Sequence, residues 1–133
     1  MIEEQFVPLN LALRLKKLNF NEVCLASYNK DGELNEISKW YPDLHYLQEH
    51  PNICLAPLWQ QAFDWFREKY RLHSEISVYP KGFSYRYQNY YDNIDEGFDL
   101  AAFTGKIYYF ETYGEARQTC LEELIKLVEN EKS

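Results

Sequence analysis

With 133 residues, 46% of them hydrophobic, the chain is long enough to bury its own core and too apolar to stay disordered. Its 14 Lys+Arg against 21 Asp+Glu leave a formal net charge of −7. Neither part is basic, with 5 against 8 up to Ala56 and 9 against 13 beyond it, so a nucleic-acid partner is not expected.

Three cysteines, Cys24, Cys54 and Cys120, are too few and too odd a number for a disulfide framework. Each stands beside Leu or Val, which predicts buried free thiols in a reducing compartment. No stretch approaches 18 continuous apolar residues, and Met1-Ile2-Glu3-Glu4-Gln5 leads into no apolar run of signal-peptide length. A cytoplasmic protein without membrane contact is expected.

The pattern from Pro8 to Leu18 predicts the first helix, with Leu11, Ala12, Leu15 and Leu18 on one face and Leu9 and Leu13 widening it. Asn19 is suited to a left-handed stop, and Phe20 to folding back on the last turn. Glu22 to Tyr28 reads as a strand, Lys30-Asp31-Gly32 as a hairpin turn, and Glu33 to Ile37 as the returning strand. Pro42 and Pro51 interrupt the next stretch, so Ser38 to Cys54 is expected to be a covering loop, with one helical turn at Leu44 to Gln48.

The stretch from Ala56 to Tyr70 predicts the central helix, with Pro57 in its first turn. Leu58, Trp59, Ala62, Phe63, Trp65, Phe66 and Tyr70 fall within an arc of about 160°. Two Trp and two Phe on one side mark the centre of a core. Lys69 interrupts that side, and its methylene stem can lie over apolar surface.

Three strands are expected next. Glu75 to Tyr79 ends at Pro80, and Lys81-Gly82 makes the turn. Phe83 to Tyr91 alternates cleanly, with Phe83, Tyr85, Tyr87 and Tyr91 on one face and Ser84, Arg86, Gln88 and Tyr90 on the other. An acidic loop from Asp92 to Thr104 separates it from the third strand, Lys106 to Glu111. Thr112 and Glu115 have the spacing of a capping box. The last helix then carries Ala116, Cys120, Leu124, Leu127 and Val128 as its apolar stripe, with Leu121 at the margin, and ends near Glu129. With no repeats and no linker, this order predicts a single α+β domain over residues 1–133. Its antiparallel sheet has about five strands, a hairpin plus a three-stranded meander, with three helices packed on it.

Three segments together carry a resemblance. They are Phe6-Val7-Pro8, the stretch Ala56-Pro57-Leu58-Trp59-Gln60-Gln61-Ala62-Phe63 with Trp65 to Tyr70, and Tyr113-Gly114-Glu115-Ala116 running to Cys120-Leu121. The chain resembles a family of short uncharacterised proteins from gut Bacteroidetes and their phages or mobile elements. Asn19 stands where that family usually has Gly. The resemblance implies an accessory role in a mobile element and assigns no catalytic residue.

Few residues point to chemistry. His45, His50 and Cys54, with His73 further on, are metal-ligand types in no standard zinc spacing. Gly residues are scattered and form no phosphate loop, and no Ser or Cys sits in a nucleophile elbow. No cofactor and no metal is expected. The leading expectation is a non-enzymatic protein-interaction surface made by Tyr85, Tyr87 and Tyr91 with Asp92, Asp95, Glu96 and Asp99. The alternative is a small metal-dependent enzyme using the Asp92–Asp99 carboxylates. Further alternatives are an acidic mimic of nucleic acid and an RNA-binding-like fold. The latter needs cations where Glu111-Thr112-Tyr113-Gly114-Glu115 stands.

Overall fold

A computed structural model describes residues 3–37, 50–89, 96–98 and 108–132. The protein is α+β, with three α-helices and six strands among the described residues. The strands form two antiparallel sheets of three, where the sequence suggested one sheet of about five. The chain divides into two compact units, Met1–Ala62 and Phe63–Ser133.

In the first unit a 3-10 turn, Glu3–Gln5, precedes α1, Leu9–Lys17. Leu11, Ala12 and Leu15 are the buried stripe of α1. Its end is a full Schellman motif. Asn19 takes a φ of 70°, its N–H donates to the Lys16 carbonyl, and the Phe20 N–H reaches back to Leu15 at 3.1 Å. Phe20 is thereby folded under the helix, 1% exposed.

Strands β1, Ala26–Tyr28, and β2, Leu34–Glu36, are shorter than the alternation suggested and are joined through the expected turn. The Asn29 side chain accepts from the N–H groups of Asp31 and Glu33, and Gly32 supplies a φ of 80°. The other edge of β1 pairs with β3, Cys54–Ala56, with Tyr28 opposite Cys54. The sequence reading assigned Cys54 to a loop and Ala56 to a helix. Ile53-Cys54-Leu55-Ala56 is a continuous apolar run whose burial needs a partner strand. Helix α1 packs on β3. The expected helical turn at Leu44 to Gln48 lies outside the described residues.

Helix α2 spans Trp59–Tyr70, so Pro57 precedes it, and the Pro57 carbonyl instead accepts from the Val7 N–H at 2.9 Å. The start of α2 is closed by Gln61, whose side-chain oxygen accepts from the Leu58 N–H at 2.9 Å. Its amide nitrogen donates to the Val23 carbonyl at 2.6 Å. Trp59 donates from its indole to the Glu4 carbonyl at 2.9 Å. Trp59, Ala62, Trp65 and Phe66 are buried, while Leu58, Phe63 and Tyr70 are half-buried. Trp65 meets Phe66 and Tyr70 edge-on, at 5.0 and 5.3 Å. The Lys69 ammonium lies over the Trp65 ring at 5.1 Å, a cation–π contact that accounts for a charge on this side.

In the second unit β4, Leu72–Tyr79, and β5, Gly82–Asn89, form a long hairpin turning at Pro80-Lys81. Strand β6, Glu96–Phe98, lies inside the stretch read as an acidic loop and pairs with the far end of β5. Of the expected strand Lys106 to Glu111, Phe110 bridges to Phe83, and residues 106–107 lie outside the described residues. Helix α3, Tyr113–Lys132, begins with the Thr112 hydroxyl accepting from the Glu115 N–H at 3.1 Å. It runs beyond the expected end and packs on β4 and β5. Ala116, Cys120, Leu121, Leu124, Ile125 and Val128 are its buried residues. Among the described residues no helix is long and apolar enough to cross a membrane.

Candidate interaction surface

The β4–β5 hairpin decides which tyrosines are available. Register places Ile76 opposite Tyr85 and Ser74 opposite Tyr87. Helix α3 packs on β4 and β5, and Ser74 of β4 acts on the Cys120 thiol, so this face of the sheet is the one α3 covers. Tyr85 and Tyr87 are 8% and 7% exposed. Burial raises the pKa of both phenols, Tyr87 to about 12, with Glu123 and Cys120 on the helix adding to the effect. These two residues were expected on a contact surface. They belong to the core, because the face rich in aromatic rings is the one that gains most from a covering helix. Tyr91, Asp92, Asp95 and Asp99 lie outside the described residues. Glu96 has its backbone in β6, opposite Asn89.

The opposite face is polar. Glu75 and Arg86 are cross-strand neighbours joined by an ion pair, each half exposed. His73 and Gln88 stand beside them.

The turn end of the hairpin is different. Val78, Tyr79, Tyr108, Tyr109 and Tyr113 are large apolar side chains left 38% to 74% exposed. The Phe83–Phe110 bridge brings the 108–110 segment to this end. Its two backbone bonds, 2.9 and 2.7 Å, dock the 108–110 segment against the start of β5. Tyr79 and Tyr109 then meet edge to face at 5.6 Å. Val78 is the cross-strand neighbour of Phe83, which holds Tyr113 at 6.0 Å, and the Arg117 guanidinium lies over the Tyr113 ring at 5.7 Å. Gly82 makes the approach possible. A Cβ there would stand 2.5 Å from the Phe110 carbonyl oxygen. Sequence reasoning passed over Tyr79, Tyr108, Tyr109 and Tyr113 because nothing local separates them from the buried tyrosines.

Among the described residues no three His, Cys, Asp or Glu side chains converge as metal ligands, and His45 lies outside those residues. The three thiols are buried, and burial raises Cys24 to about 12, Cys54 to about 11 and Cys120 to about 12. They are inert thiols at neutral pH. No family model, curated protein or solved structure matches this chain.

Proposed function

We propose that the protein is a non-enzymatic interaction protein whose contact surface is the aromatic end of the β4–β5 hairpin. One observation carries this reading: Tyr79 and Tyr109 pair edge to face while 38% and 40% exposed, at an end of the hairpin where Val78, Tyr108 and Tyr113 are exposed as well. Tyrosine is favoured where a surface must be apolar against a partner and wet when alone. Clustered exposure of this kind is costly to keep on a monomer unless something uses it. The sequence resemblance supports an accessory protein of a mobile element as the setting.

The test is a paired capture from the native host with the wild-type chain, the Tyr79→Ala/Tyr109→Ala variant, and Val23→Ser as a control. Val23 is 73% exposed but belongs to the first unit. Loss of a central aromatic anchor weakens binding by about 30-fold or more. A partner retained by the control and lost by the double variant supports the reading. Identical partners for all three chains refute it.

A further inference from the structure

Leu9, Leu13 and Lys16 lie at i, i+4 and i+7, one stripe along α1 beside the stripe that enters the core. This second stripe forms a wall of a cavity of about 190 Å³. Tyr28 at the end of β1, Asn29 and Lys30 of the β1–β2 turn, and residues 51–53 with Cys54 at the start of β3 complete it. Its composition is unusual for a chain of net charge −7, since both of its titratable cations face the same space.

The two lysines are held differently. Lys16 donates to the His50 carbonyl at 2.8 Å and to the Ile53 carbonyl at 2.5 Å. An ammonium has three donors, so one remains for an acceptor in the cavity. Two fixed carbonyls prevent it from swinging away. Lys30 is exposed at the turn, with no ion pair among the described residues. Leu9, Leu13 and Ile53 supply apolar surface between the two charges.

We propose that this cavity binds a small organic carboxylate, the anion on Lys16 and Lys30 and a short apolar body against Leu9, Leu13 and Ile53. The volume lies below the roughly 300–1,000 Å³ of sites for drug-sized ligands, which limits the occupant to a few carbons. Bare phosphate satisfies the lysines and leaves the apolar wall wet. An amine of equal length meets like charge. The carboxylate can come from a free acid or from the C-terminus of a peptide ending in an apolar residue, and both present the same chemistry.

The experiment is a methyl-detected NMR titration of the full chain at constant ionic strength. The probes are hexanoate, N-acetyl-Ala-Leu, hexanol, hexylamine and inorganic phosphate. Saturable shifts of the Leu9, Leu13 and Ile53 methyls with hexanoate or the acetyl dipeptide are expected, and which of the two binds tighter assigns the source. Hexanol should bind about tenfold or more weaker, having lost the charge-assisted bonds. Lys30→Met should weaken hexanoate by about twofold to fivefold. Leu13→Ser should weaken it by about threefold. Both side chains are exposed, so neither change threatens the fold. Absence of saturable shifts, equal binding of hexylamine or hexanol, or binding of phosphate alone overturns the proposal.

Discussion

Gly82→Ala is the sharpest test of how the aromatic end is built. Gly82 has a φ of 142°, a conformation that L residues rarely adopt. A substituent there costs about 1–3 kcal/mol in backbone strain. The new methyl would also stand 2.5 Å from the Phe110 oxygen, a backbone atom fixed by its bond from the Phe83 N–H. Relieving that clash moves the 108–110 segment away and breaks the two bonds of the bridge, each worth about 0.5–1.5 kcal/mol. The sum is about 2–6 kcal/mol, a large share of the total for a domain of this size. With a urea slope of about 1–3 kcal/mol/M, a loss near the middle of that range lowers the midpoint by about 1–4 M. Gly114→Ala is the internal control. Its Cβ would find only the Thr112 hydroxyl, at 3.9 Å, in the first turn of α3. It should gain about 0.5–1 kcal/mol. Urea unfolding followed by circular dichroism measures both. A Gly82→Ala variant within about 0.5 kcal/mol of wild type refutes the claim that Gly82 is required for docking of the Tyr109 segment.

Asn19→Ala should cost about 1 kcal/mol, because alanine is less tolerant of the left-handed position that closes α1. Asn19→Gly should equal or exceed wild type, and the opposite ranking in thermal unfolding would remove the Schellman account. The raised pKa values also fix a pH profile. Thiols ionise near 9.0 in the unfolded chain but only at about 11 to 12 in the fold, and Tyr87 moves from 10.0 to about 12. A raised folded value means that stability is complete below pH 9 and falls as pH climbs toward 12. For Cys120 alone the difference from 9.0 to about 12 corresponds to on the order of 4 kcal/mol. Cys120→Ala should flatten that decline, whereas an unchanged slope would show that these groups do not govern it.

Local chemistry was the legible part of the sequence. The turn at Lys30-Asp31-Gly32 and the Asn19 stop are each decided within five residues and stand as read, though sequence reasoning passed over Asn29, which holds the turn. Of the capping box at Thr112 and Glu115, the Thr112 hydroxyl bond is present. The central helix was legible because Trp59, Ala62, Trp65 and Phe66 repeat at its period. Its true start was hidden, since the Gln61 side chain that closes it lies inside the helix and Pro57 draws attention first. Strand β3 was missed because three residues are too few to show a period, and only pairing with β1 makes them a strand. The expected exposure of Tyr85 and Tyr87 fails for another reason. Alternation along β5 sorts residues into two faces without saying which one α3 covers. The exposed tyrosines come from both sides of a gap of more than twenty residues, joined by a bridge that no local pattern announces.

The distribution of the thiols gives the molecule a built-in pair of clocks. Cys24 and Cys54 belong to one half of the chain and Cys120 to the other, and none is accessible in the closed state. An alkylating reagent can therefore modify a sulfur only while its surroundings are briefly breached. Mass spectrometry of the three tagged peptides, read against time, would time each half's breathing separately and reveal whether the halves open in concert or alone.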